Sequence, residues 1–157
     1  MPMQRDPNLV RLSHEHQAGL VLAKWARELA TIADPERRAI WAELQTRFAD
    51  ELEPHFQLEE CGLLPALRVA GQEALVEQTL NEHAELRALI LSETPDAPAR
   101  FGDALNAHIR FEERTLFETA QQVLEPAVLA ELGVLHEAAA RPACSTTARK
   151  GSVQGAS

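Results

Sequence analysis

The hexads HFQLEE, from His55 to Glu60, and HIRFEE, from His108 to Glu113, are nearly the same string, and their reading decides the fold. Each sets a carboxylate four residues after a histidine, which on an α-helix stacks imidazole and carboxylate on one face. Outward from His108 at helical spacing stand Phe101, Leu105, Glu112 and Leu116; outward from His55 stand Phe48, Leu52, Glu59 and Leu63. A polar pair therefore interrupts an apolar stripe both times. An unpaired carboxylate buried there is costly, so something positive has to lie between these helices. A metal ion that takes both nitrogen and oxygen ligands is the economical candidate.

Helical periodicity extends to the rest of the chain. Ser13 is the expected N-cap of a first helix reaching about Thr31, with Leu12, His16, Leu20, Ala23 and Ala30 on its inner stripe. Asp34 and Pro35 restart a second helix, which runs to Glu60 or slightly beyond; Pro54 lies inside it and is expected to bend it. Gly62 and Pro65 weaken its end and Gly71 marks the turn. A third helix covers about Gln72 to Leu91, with Leu75, Leu80, His83, Leu86 and Ile90 inward, and a fourth about Pro98 to Val123. A short fifth helix follows from Pro126. The expected fold is all-α, an up-down-up-down four-helix bundle over residues 1–140, with a disordered C-terminal tail over 141–157, where Ser, Thr, Gly and Lys dominate.

Antiparallel neighbours joined by short loops allow a test of height. At 1.5 Å of rise per residue, the largest mismatch, between His16 and His55 about their shared turn, is roughly 6 Å, within what tilt and loop shape absorb. His16, His55, His83 and His108 thus fall in one layer. HEHQAGL, from His14 to Leu20, also echoes NEHAEL, from Asn81 to Leu86, so the chain reads as a duplicated helix pair. Each pair offers one lone histidine and one histidine with a glutamate, which predicts two metal ions.

Composition limits the alternatives. The 157 residues suit one domain, and only 7 Gly with no Tyr favour helix over sheet. A net charge of −9, with no local cluster of Lys and Arg, argues against nucleic acid or an anionic membrane as the partner. No apolar leader or membrane-length run stands in the sequence, and a cytoplasmic location is expected. Cys61 and Cys144 form neither a zinc spacing nor a disulfide framework and are expected to be free thiols.

The candidate metal ligands are His16, His55, Glu59, His83, His108 and Glu112, with the two glutamates as natural bridges because a carboxylate offers two oxygens. Imidazole with carboxylate suits iron, manganese or zinc, and the lack of thiolates argues against a structural zinc site. Six protein ligands leave open positions on two octahedral ions. His14, two residues before His16, is expected at the surface. His136 has no partner pattern and reads as structural or exposed, Trp25 and Trp41 as packing residues. Glu60 and Glu113 read as solvated neighbours or as acceptors for a ligand histidine N–H.

From about Leu12 to Leu124, the paired His-x-x-x-Glu motifs with their flanking Glu-His elements resemble the hemerythrin-like proteins with the HHE cation-binding domain. The resemblance implies a non-haem di-iron centre in a four-helix bundle, two irons bridged by carboxylates and an oxo or hydroxo group. His16 and His83 would be the lone ligands, His55 with Glu59 and His108 with Glu112 the paired ones. The oxygen-carrying members have a further histidine one turn before the third-helix ligand, where this chain has Thr79. They place the last carboxylate five residues after its histidine, at Glu113 here; the spacing of the first hexad selects Glu112. A ferritin-like signature, with Glu three residues before His, has the opposite order. The implied function is binding or sensing of a small diatomic ligand, dioxygen or nitric oxide. The alternatives are an enzyme handling oxygen, peroxide or nitric oxide or donating iron for iron-sulfur cluster repair, and an iron store or metal-stabilised structural domain.

Overall fold

The computed structural model describes residues 4–138, which form five helices and no strand. Helix α1 is Pro7–Glu28, continued by one 3₁₀ turn at Leu29–Thr31. Helix α2 spans 36–69, α3 is Glu73–Ile90, α4 spans 97–123 and α5 is Pro126–Glu137. The tail expected to be disordered lies outside the described residues. Among the described residues no helix is long and apolar enough to cross a membrane.

Side-chain pairings fix the antiparallel order. Along α2 and α3, Gln45 meets the Ile90 carbonyl at 2.7 Å, Glu53 meets Arg87 at 2.7 Å, Glu60 meets His83 at 2.6 Å and Arg68 meets Glu77 at 2.9 Å. Along α1 and α4, Arg5 reaches Gln121 and His16 reaches Glu113, again with one number rising as the other falls. These two helices lie close, since a Cβ on Gly102 would stand 2.6 Å from the Ala23 carbonyl oxygen. Gly71, at φ +88°, makes the turn into α3, a conformation that glycine adopts without a Cβ penalty.

Several helix limits differ from the sequence reading. α1 starts at Pro7 under Asp6, whose carboxylate accepts from the Asn8 N–H at 2.8 Å; Ser13 lies inside the helix and is not its N-cap. Asp6 followed by Pro7 is itself a strong start, because proline at the first turn loses no internal hydrogen bond. The inner face of α1 carries Leu9, Leu12, His16, Gly19, Leu22, Ala23 and Ala26, while Leu20 turns outward. On α3, Val76 and Thr79 are buried where Leu75 and Leu80 were expected.

Helix α2 runs through Pro54, Gly62 and Pro65 by widening twice into π-helical turns, Phe48–Leu52 and Glu59–Leu63. Each proline sits two residues past such a turn, which absorbs the missing N–H and the crowding of the ring. A third π turn, Glu112–Leu116, has no proline near it. It starts at the second hexad's candidate glutamate as Glu59–Leu63 starts at the first's, so the duplication extends to the backbone.

Two apolar clusters fill the bundle. One gathers Leu22, Phe48, Phe56, Leu86, Phe101 and Leu105 among others; the second gathers Leu9, Leu12, Leu63, Leu67, Val76 and Phe117. On α1 and α3 the candidate ligand falls between the residues of the two clusters; on α2 and α4 the glutamate does, and the histidine stands one residue before the last member of the first cluster, Phe56 or Ile109. Cys61 is disulfide-bonded, which corrects the expected free thiol; Cys144 lies outside the described residues.

Candidate metal centre

The four helices bring all six candidate residues into one buried layer. Glu59, His83 and Glu112 are 0 % exposed, and His16, the most open of the six, is 3 % exposed. They form two groups, His16, His55, Glu59 and Glu112, and His83, His108, Glu59 and Glu112; within each, one ligand atom per residue lies within 4.8 Å of all the others. The two glutamates belong to both. Of the adjacent acids at the second hexad, Glu112 enters the cluster and Glu113 does not.

Each imidazole turns its Nε2 inward. The inward contacts run from 2.9 Å for His16 to Glu112 to 3.0 Å for His55 to Glu59 and His108 to Glu112, and 3.1 Å for His83 to Glu59. Close as they are, most of these pairs lack hydrogen-bond alignment. Nε2 of His55, His83 and His108, both oxygens of Glu59 and Oε2 of Glu112 are buried with no hydrogen-bond partner. Lone pairs converging on common points, with no protein donor aligned to them, are what a cation site presents, and leaving them unsatisfied is expensive. The residues present therefore fit a pair of metal ions.

The outward nitrogens are also accounted for. His55 Nδ1 meets Glu15 at 2.8 Å, His83 Nδ1 meets Glu60 at 2.6 Å, His108 Nδ1 meets Glu82 at 2.7 Å and His16 Nδ1 meets Glu113 at 2.6 Å. The four bonds run from α1 to α2, α2 to α3, α3 to α4 and α4 to α1, a closed ring around the bundle. A carboxylate is acceptor-only, so each Nδ1 is the donor, and with Nε2 deprotonated, as a metal ligand must be, its lone pair is aimed at the cluster. All four acids have further anchors: His136 on Glu15 at 2.8 Å, Arg87 on Glu60 at 2.9 Å, Gln78 on Glu82 at 2.9 Å, and Arg5 at 3.0 Å with Ser13 at 2.6 Å on Glu113. Sequence reasoning admitted Glu60 and Glu113 to this role but missed Glu15 and Glu82, although the Glu-His dipeptides were in view.

Burial pushes these imidazoles toward lower pKa, and the carboxylates around them outweigh it. His83 rises to about 11 through Glu112, Glu59 and Glu60, and His108 to about 9 through Glu112 and Glu82. His16 and His55 rise too. Glu112, despite burial, is held well below the ordinary carboxylate range by His108, His16 and His55. The layer is a strong attractor of positive charge. His83 stacks on Phe56 at 3.9 Å and His16 on Phe117 at 5.4 Å between centroids, which fixes the ring planes.

Thr79, one turn before His83, is buried, and its hydroxyl donates to the Leu75 carbonyl at 2.8 Å. His14 is exposed, as expected. Trp41 is buried as expected of a packing residue; Trp25 is 37 % exposed, beneath the Arg47 guanidinium. His136, read as structural or exposed for want of a partner pattern, is buried and hydrogen-bonded to Glu15.

A helical bundle with a buried layer of four imidazoles and two shared carboxylates defines a cation-binding protein of the carboxylate-histidine type. The sequence model of the hemerythrin HHE cation-binding domain matches residues 8–120, and the chain belongs to that family. No curated protein and no solved structure matches it.

Proposed function

We propose that the protein is a non-haem di-iron protein that binds or senses a small diatomic molecule, dioxygen or nitric oxide. The observation that carries this reading is that Glu59 and Glu112 each belong to both four-residue groups. His16 and His55 would hold one ion, His83 and His108 the other, and the two carboxylates would span them. Bound there, iron would supply one-electron redox chemistry and open coordination positions for a diatomic ligand. Thr79 supports the open position, since its hydroxyl is committed to the helix backbone and adds no ligand. The outer acids Glu15, Glu60, Glu82 and Glu113 hold the imidazoles in the tautomer and orientation that a metal needs.

The test is metal content and the visible spectrum of protein purified without air, followed by stopped-flow mixing of the reduced protein with dioxygen or nitric oxide. A stable adduct supports binding or sensing. Fast oxidation with consumption of peroxide replaces it with an enzyme, and inertness with an iron store or structural domain. A cytoplasmic location belongs to the same proposal, and the Cys61 disulfide is the observation against it, because such bonds persist mainly in oxidising compartments. Cell fractionation decides that point.

A further inference from the structure

Three of the four outer acids are anchored by residues of the four long helices or of the segment leading into α1. The fourth, Glu15, is anchored from α5. Its Oε1 accepts from His55 Nδ1 at 2.8 Å and its Oε2 from His136 Nε2 at 2.8 Å. His136 is 4 % exposed and lies beyond residue 120, where the family match ends.

The seating of α5 is specific. A Cβ on Gly62 would stand 2.8 Å from Leu135 Cδ2, so α5 crosses α2 at the π turn that begins with Glu59. A Cβ on Gly133 would stand 2.3 Å from Asn8 Oδ1, so the same helix is pressed against the start of α1. Leu129 and Leu132 bind it to the apolar cluster below the layer. These contacts put His136 at the back of a cleft of about 550 Å³ that Glu15, Arg11, Asp50 and His55 also line. On this side the Glu15 side chain is 38 % exposed, whereas that of His136 is 5 % exposed.

We propose that His136 is a positioning residue for the metal position formed by His16 and His55, acting through Glu15 to hold the His55 ring. The inference rests on the di-iron reading above and adds to it a residue from outside the matched domain. It also makes the two positions unequal. The His83 and His108 side is braced by Arg87 and Gln78 from within the bundle, whereas the His55 side depends on α5 staying docked.

The experiment is an anaerobic titration of the metal-free full chain with ferrous iron, in wild type, His136→Ala and His136→Gln, with Gln78→Ala as the control for the opposite side. Thermal melts of the metal-free proteins run alongside. The expected result is that His136→Ala weakens one of two equivalents by about 10- to 100-fold, the usual cost of losing an outer partner, and leaves the other as in wild type. His136→Gln, which still carries an N–H donor, restores it, and Gln78→Ala affects the other equivalent.

Two unchanged equivalents in His136→Ala would overturn the inference while leaving the di-iron reading in place. So would equal weakening of both with no rescue by glutamine and a lowered metal-free melting temperature, which would make His136 a packing residue. Wild type that takes up no iron would overturn the di-iron reading itself, and this inference with it.

Discussion

Glu113 Oε2 lies 2.6 Å from His16 Nδ1, while Oε1 of the preceding residue, Glu112, lies 2.9 Å from Nε2 of the same ring. Adjacent acids on α4 thus grip opposite edges of one imidazole, one from inside the cluster and one from outside. Glu113→Ala removes the outer grip and takes the carboxylate from Ser13 and from Arg5, which keeps Gln121 and the residue 113 carbonyl. The expected outcome is a loss of about 10- to 100-fold in affinity for one iron equivalent, read by anaerobic titration. Wild-type affinity in this variant would show that packing on Phe117 and the inner contact with Glu112 hold the ring without Glu113.

Glu59 and Glu112 serve both groups, whereas each histidine serves one. Glu59→Ala or Glu112→Ala should therefore abolish binding of both equivalents, and His16→Ala should reduce the content to about one. Elemental analysis of the purified variants reads this directly. Glutamate variants that retain a full complement would remove the carboxylates from the bridging role.

The pH dependence of stability should change sign with metal. In the metal-free protein His83 is raised from 6.5 to about 11 and His108 to about 9, so between those limits the folded chain holds protons that the unfolded chain has lost. Their contribution is complete below 6.5 and declines as pH rises through the folded values. Glu15 and Glu113, lowered from 4.5 to about 2, contribute fully above 4.5 and lose that contribution toward 2. The metal-free melting temperature should therefore fall from about pH 6 to about pH 9. Iron competes with protons for the same nitrogens, so the loaded protein should instead lose stability on acidification. Parallel melts of chelator-treated and loaded protein test both slopes, and equal slopes would refute the assignment of these imidazoles.

Gly102→Ala tests the packing of α1 on α4. The added methyl meets the Ala23 carbonyl oxygen and the Arg27 side chain at under 3 Å, and the backbone oxygen has no room to retreat. A loss of about 1–3 kcal/mol is expected in denaturant unfolding, with the metal stoichiometry kept. A neutral substitution would mean that the two helices part more easily than their spacing implies.

The hexads were legible because helical periodicity reports which residues share one face of one helix, and His55 with Glu59, and His108 with Glu112, are such pairs. Periodicity is silent on which neighbouring helix a flanking residue meets. Glu15 and Glu82 sit one residue before a candidate ligand, about 100° around the helix, and so point sideways at the next helix. Their role depends on that neighbour being the one that carries His55 or His108. His136 was harder still, since its partner is distant along the chain and the link exists only once α5 is docked. The start of α1 was misplaced for a related reason: Ser13 has the chemistry of a cap, but its hydroxyl is engaged with Glu113, and Asp6 before Pro7 does the capping. The π turns have no signature in hydrophobic pattern beyond the prolines that follow two of them.

The polar layer lies between two blocks rich in leucine and phenylalanine and is ringed by the acids Glu15, Glu60, Glu82 and Glu113. An uncharged diatomic molecule dissolves in hydrocarbon and can cross such blocks through small fluctuations of packing, whereas taking a hydrated ion out of water into them is costly. On the proposed reading, the two apolar blocks would admit small uncharged molecules to the layer more readily than hydrated ions.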